Sequence, residues 1–276
     1  MKTQTHNIRL IATDLDGTLF NSQRVVSPTT LQVLKRVQQA GIQIMLTTGR
    51  PFFAVSEMVD SWGMDLPLIC SGGAFVTAGK NGPVISEFNF HMKAELDFLL
   101  GFARQHDALM VGETKDLSIW FASDNFIKMR PSKLLEDTWH ATRTLRPEVD
   151  FDRPFLKMCF IVAKDKVDLT AEAVASLQSL DYAYAGYEDF DLTAKGVNKG
   201  NALKAYAEYA GIPREQIAAF GDQLNDVSLL EYAGLPIAVE NAQPAVKAAA
   251  KWVMPSNDED GVAQGMERIL AEYSNQ

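Results

Sequence analysis

Short apolar runs that end on polar or glycine-rich residues alternate with helix-period segments at both ends of the chain, and this alternation limits the fold more than any other feature. Runs of this kind are buried on both faces, so they build a parallel sheet covered by helices on each side. Three come early: Ile8 to Thr13 ends at DLDGT, Ile42 to Thr47 at TGRP, and Leu66 to Cys70 at SGG. Between the first two, Ser27 and Pro28 form an N-cap and first-turn pair, Leu31, Leu34 and Val37 share one helical face, and Gly41 suits the stop. That is a β-α-β unit, and its right-handed crossover puts the carboxyl ends of both strands on one edge. The rhythm returns later. Lys199 to Ala210 reads as a helix stopped by Gly211, Ile217 to Phe220 as a strand, Val227 to Ala233 as a helix and Leu235 to Val239 as a strand.

Residues 84 to 190 break the pattern, with Trp120, Phe121, Phe126, Trp139, Phe155, Phe160, Tyr182, Tyr184 and Tyr187 spread through less regular strand-like and helical segments. The expected architecture is α/β. A Rossmann-like parallel-sheet core is assembled from residues 1–83 and 191–276, and an inserted α+β cap domain occupies 84–190. With 276 residues, 47% of them apolar, the chain has enough material for both cores.

The formal net charge of -9 and the lack of any Lys/Arg run argue against nucleic acid and anionic membranes as partners. A small phosphorylated metabolite remains compatible, because a pocket can be positive inside an acidic protein. Cys70 and Cys159 each lie in an apolar stretch, which fits reduced, buried thiols better than a disulfide. The start, MKTQTHNIRL, lacks the apolar core of a signal peptide, and no apolar run approaches the ~20 residues that span a bilayer. A cytoplasmic monomer or small homo-oligomer is expected.

Ligands of open parallel sheets bind beyond the carboxyl ends of the strands, so polar residues placed there carry the strongest claim to function. Asp14 and Asp16 in DLDGT, Thr48 in TTGR, Lys199 in VNKG, and Asp222, Asn225 and Asp226 in GDQLND all qualify. In DLDGT one carboxylate can act as nucleophile while the other moves a proton between leaving oxygen and attacking water, or the segment is an ordinary Asp-Gly turn. GDQLND would bring more acid to the same edge. The repulsion calls for a hard divalent cation, and Mg2+ with Asp14 and Asp222 as ligands fits, whereas the alternative is a helix entry capped by Asp222 or Asn225. Neither cluster has the spacing of a calcium loop, and the four His at 6, 91, 106 and 140 have no zinc-ligand spacing. Lys199, the Thr48 hydroxyl and turn amides could neutralise a phosphoryl group. A Lys at a helix start opposes the helix dipole, which hints at use, although such residues are usually solvated. Arg50, before Pro51, either faces phosphate or forms an ion pair.

In chain order, DLDGT, TTGRP, NKG and GDQLND resemble the four signature motifs of the haloacid dehalogenase superfamily, in its Cof-type branch, subclass IIB, of phosphatases with a large cap. The resemblance spans nearly the whole chain, and the insertion falls where that branch carries its cap. It implies Asp14 as nucleophile and metal ligand, Asp16 as acid-base with its carbonyl on the metal, and Asp222 as the remaining protein ligand. Phosphate contacts would come from Thr48, Lys199, Asn225 and the amides near Leu15 and Gly49. Asp226 would support its loop from behind. Two departures stand out: Gly72-Gly73-Ala74 replaces the usual Asn-Gly-Ala, and Asp191 stands where Glu is common.

The reaction so implied is Mg2+-dependent hydrolysis of a small phosphate ester, with a sugar phosphate as the leading substrate class. Two rivals share the intermediate. A phosphomutase would pass the phosphoryl group to another hydroxyl, and a signalling receiver would hold it on Asp14, although a receiver needs little more than ~120 residues.

Overall fold

The structure, a computed structural model, describes residues 7–91, 95–129, 141–144, 146–186 and 188–273. His6, Trp139, His140 and Tyr187 lie outside the described residues.

The first half of the core comprises β1 (Leu10–Asp14), α1 (Pro28–Gln39), β2 (Gln43–Thr47), α2 (Phe52–Ser61), β3 (Leu68–Cys70), β4 (Phe75–Thr77) and β5 (Val84–Glu87). Leu10, Ile11 and Ala12 are wholly buried, which is why their run has no polar alternation. The strand reaches Asp14 itself, so that carboxylate projects from the sheet's last paired position. β3 begins two residues later than the apolar run because Pro67 lacks the N–H a ladder needs. Ser27 caps α1 by accepting from the Thr30 amide at 3.0 Å, and its hydroxyl also donates to Asp260 at 2.6 Å.

The inserted part contains β6 (Phe90–His91), α3 (Leu96–Gln105), β7 (Leu109–Glu113), β8 (Ser118–Ala122), α4 (Asp124–Met129), β9 (Ala141–Arg143), α5 (Pro147–Asp150), β10 (Pro154–Phe155), β11 (Lys157–Ile161), α6 (Val167–Ala175), β12 (Leu180–Gly186) and β13 (Asp189–Ala194). The core then resumes with α7 (Lys199–Ala210), β14 (Ile217–Gly221), α8 (Val227–Tyr232), β15 (Leu235–Val239), α9 (Pro244–Ala249), β16 (Trp252–Met254) and α10 (Gly261–Tyr273).

The core sheet has eight strands in the order β16-β15-β14-β1-β2-β3-β4-β5, parallel from β16 to β3 and antiparallel beyond. β1 lies between β14 and β2, so the chain departs from it in opposite directions, and a crevice opens at the strand ends there. The cap sheet runs β12-β13-β11-β7-β8-β9 and is antiparallel except for β8 with β9. β6 and β10 form a separate two-stranded ribbon.

Strand pairing moves the expected domain limits. Val84–Glu87 completes a hairpin on the core sheet, and Asp189–Ala194 lies inside the cap sheet. The reason is that VISE is too short to show a period and the alternation in DFDLTA marks a strand without revealing which sheet it joins. Among the described residues, no helix is long and apolar enough to cross a membrane.

One face of the cap sheet carries Met110, Met158, Phe160, Phe190 and Leu192, which pack with Leu99, Leu100, Ala103 and Val174 of α3 and α6 into a separate apolar cluster. Phe160 sits at its centre with no exposure. Phe160→Ala is expected to destabilise the protein by about 3–5 kcal/mol, read from denaturant unfolding. A loss below about 1 kcal/mol would mean that the cap has no packed core of its own.

Candidate active site

Asp14 ends β1, and the helix start that carries Lys199 lies beside it. Lys199 Nζ donates to Asp14 Oδ1 and to Asp226 Oδ1, both at 2.6 Å, with only 2% of the lysine side chain exposed. Asn198 makes this placement possible by capping α7, its side chain accepting from the Asn201 amide at 2.8 Å. Asp226 is fully committed: its Oδ2 accepts from the backbone N–H groups of Asp222 and Gln223 at 3.0 and 3.1 Å. The loop after β14 is thus capped by Gln223 and Asp226 reciprocally, and neither Asp222 nor Asn225 caps it.

Asp222 is left facing the crevice. Its Oδ1 accepts from Thr18 at 2.6 Å and its Oδ2 from Gln223 at 3.1 Å. Gly17 permits this approach, for it has φ +84° and a Cβ there would stand 2.5 Å from Asp222 Oδ2.

Carboxylate oxygens of Asp14, Asp222 and Asp226 all lie within 4.8 Å of one another, with the single ammonium of Lys199 among them. Burial pushes the Asp14 carboxyl well above the usual range; Lys199 pulls it down, while Asp226 and Asp222 push it further up. Burial likewise raises Asp222 to about 6, with Asp226 adding to the effect. Burial opposes the charge on Lys199, yet Asp14 and Asp226 overcome it and hold the ammonium above its normal range. The cluster therefore has more negative charge than its one cation balances. In addition, the buried Oδ1 of Asn225 has no hydrogen-bond partner. Hard oxygen donors with surplus negative charge fit a divalent cation such as Mg2+, held by Asp14 and Asp222.

The remaining candidates surround the same cavity of about 630 Å3, which is lined by Asp14, Asp16, Thr48, Gly49, Arg50, Asp222 and Asn225 from the core. Leu15 has a fully buried side chain, so it has only backbone groups to offer. Thr48 is buried, and its hydroxyl oxygen accepts from the Arg50 amide at 3.1 Å. Asp16 stays out of the carboxylate cluster. Arg50 grips it in a two-point fork, Nε to Oδ2 at 2.7 Å and a terminal nitrogen to Oδ1 at 2.5 Å, and the guanidinium lies over Phe20. Gly72 occupies the left-handed region at φ +68°, where a Cβ would meet only Thr193 Cγ2 at 3.9 Å. An Asn fits such a position, so the missing amide reflects the residue and not a lack of room.

The polar face of the cap sheet forms the opposite wall, where Val111, Glu113, Ser118, Lys157, Cys159, Ile161, Asp189 and Asp191 line the cavity. Lys157 Nζ reaches Asp191 Oδ1 at 2.8 Å, Glu113 Oε1 at 3.5 Å and, across the junction, the Gly49 carbonyl at 2.7 Å. The core answers through Ser71, whose hydroxyl donates to Glu113 Oε2 at 3.2 Å. Burial raises Glu113 to about 7 and Asp189 to about 8; Lys157 moderates both. Sequence reasoning missed Thr18, Gln223, Glu113, Lys157 and Asp189. Alternation in DFDL was an available signal for Asp189, since it places Asp189 and Asp191 on one face.

A buried carboxylate paired with a buried ammonium, beside further acidic groups at the carboxyl ends of parallel strands, is an arrangement suited to phosphoryl transfer. The chain belongs to the haloacid dehalogenase-like hydrolases, whose family model matches residues 11–266. It is a phosphatase of that family. Pyridoxal phosphate phosphatase YbhA of Escherichia coli (strain K12) is 28% identical, over 93% of this chain and 96% of its own length. The 5-amino-6-(5-phospho-D-ribitylamino)uracil phosphatase YwtE of Bacillus subtilis (strain 168) is 30% identical, over 96% and 99%. A solved haloacid dehalogenase-like hydrolase from Bacteroides thetaiotaomicron superimposes with a TM-score of 0.80 at 26% identity, covering 95% of this chain and 99% of that one.

Carboxyls whose pKa rises on folding stabilise the protein fully below their unfolded values and lose that contribution as pH climbs through the folded ones, about 7 for Glu113 and about 8 for Asp189. The melting temperature of metal-free protein is expected to fall between about pH 5 and pH 9, and to fall less in Glu113→Gln. Equal slopes for the two proteins would show that Glu113 does not titrate in this window.

Proposed function

We propose that the protein hydrolyses phosphate monoesters of small metabolites, with sugar phosphates as the leading class, through a phosphoryl group carried transiently on Asp14. The observation that carries this reading is the Asp14–Lys199–Asp226 chain meeting Asp222 at one sheet edge, beside a cavity of about 630 Å3.

In the first half-reaction an Asp14 carboxylate oxygen attacks phosphorus, the new O–P bond forms, and the ester P–O bond breaks. Asp16 gives a proton to the departing alcohol oxygen. In the second, Asp16 takes a proton from water, whose oxygen attacks the same phosphorus and releases Asp14. The ammonium of Lys199 and the Thr48 hydroxyl hold the phosphoryl oxygens, aided by Asn225 and the amides of Leu15 and Gly49. Asp226 keeps Lys199 and the Asp222 loop in position, and Arg50 fixes the Asp16 carboxyl at the cavity rim. A Mg2+ ion held by Asp14, Asp222 and the Asp16 carbonyl would neutralise phosphoryl charge and orient the ester. The cap wall excludes bulk water.

YbhA and YwtE are named for pyridoxal phosphate and for a phosphoribitylamino-uracil, two phosphate esters of different alcohols. A panel of phosphorylated metabolites and an aryl phosphate, assayed with Mg2+ and with chelator, tests the reading. Asp14→Asn is expected to lower kcat by roughly 10^3-fold or more, and Asp16→Asn by ~10²–10⁴ with Mg2+ affinity kept. If Asp14→Asn turned over as fast as wild type, the nucleophile assignment would be overturned.

A further inference from the structure

The cap wall differs from the catalytic floor in what it can recognise. β7, β11 and β13 are neighbouring strands, and the register sets Lys157 opposite Glu113 and Cys159 opposite Asp191. Side chains on one face of such a sheet repeat at about 4.8 Å across strands and ~7 Å along them. Glu113, Lys157, Asp189 and Asp191 therefore form a grid of polar groups and not one point of contact. Lys157 and Asp191 are already paired, and Glu113 accepts from Ser71, but Oδ1 of Asp189 is buried without a hydrogen-bond partner while Asp189 itself lines the cavity.

We infer that this wall reads a run of adjacent hydroxyl groups on the alcohol part of the substrate, with Asp189 as the residue that discriminates for them. The inference rests on the phosphatase reading above and deepens it.

Three alternatives fit the wall less well. A second phosphate or a carboxylate on the substrate would face Glu113, Asp189 and Asp191, with one lysine that Asp191 already engages. A cationic amine would meet the Lys157 ammonium at the middle of the grid. An aromatic ring finds no aromatic partner on the cap side, because the described cap residues lining the cavity include no Phe, Tyr or Trp. Hydroxyl groups suit what remains, since each both donates and accepts. Burial keeps Glu113 and Asp189 partly protonated near neutral pH, so these carboxyls also do both.

The test compares kcat/KM for a polyol monophosphate such as ribitol 5-phosphate with that for an aryl phosphate, in wild type, Asp189→Leu and Asp189→Asn, with Mg2+ present. Taking the ratio of the two esters within each protein cancels any loss of folded enzyme. Wild type is expected to prefer the polyol ester and to disfavour a sugar bisphosphate and pyridoxal phosphate. Asp189→Leu is expected to lower the polyol-to-aryl ratio by roughly 10- to 100-fold, and Asp189→Asn, which still donates and accepts, to keep most of it. The inference is overturned if Asp189→Leu leaves the ratio at its wild-type value, or if wild type prefers pyridoxal phosphate or the bisphosphate. In those cases aryl phosphate hydrolysis persists and the phosphatase reading stands. Hydrolysis of no ester at all would overturn both.

Discussion

The buried ammonium of Lys199 is the contact on which the rest of the site depends. It joins residues separated by 185 and 27 positions in the chain and is itself almost fully removed from water. Burying a charge costs several kcal/mol, and removing one partner of a buried pair is worse than never burying it. Here two carboxylates share the lysine, and the second is locked by two backbone amides. The ion chain thus ties the end of β1 to the start of α7 and to the loop after β14, elements that the inserted cap separates in sequence. Because Asp226 is spent on this fastening, Asp14 and Asp222 remain as the groups with charge to spare.

The cap repeats the arrangement with a different outcome. Lys157 is also a buried lysine among three carboxylates, and burial raises Glu113 and Asp189 there as it raises Asp14 and Asp222 on the floor, but the floor is where the proposed cation would sit. On the proposed reading, a similar local charge count would serve a cation on the floor and hydrogen bonding on the wall. The difference lies in geometry: the floor sets its acids at a crevice between strand ends, whereas the wall spreads them over a sheet face.

Much of the core was legible because each strand ends where its chemistry begins. Asp14, Thr48 and Asp222 could be placed from the apolar runs alone, and the dipole penalty at Lys199 is offset by two carboxylates. Other features depended on partners distant in the chain. Arg50 reads equally as a phosphate ligand or an ion pair until Asp16, 34 residues away, is seen inside its fork. The cap of the GDQLND loop falls to Gln223, because Asp222 is drawn away by Thr18. Glu113, Lys157 and Asp189 were illegible for a different reason: alternation shows that they share a face with their neighbours on one strand, but not what that face meets.

How the two parts are joined follows from their packing. The apolar clusters of core and cap meet at Leu156 and Ala194 and are otherwise separate among the described residues. Across the cavity the bridges are polar, from Lys157 to the Gly49 carbonyl and from Ser71 to Glu113. Hydrogen bonds of this kind contribute about 0.5–1.5 kcal/mol each, or about 1.5–3 where a charge takes part. Separating cap from floor thus costs little beside unfolding either core, so an enclosed reaction chamber is compatible with entry of a bulky ester. The carbonyl that Lys157 grips belongs to Gly49, next to Thr48. That one bond ties the wall proposed to read the alcohol directly to the floor proposed to hold the phosphate.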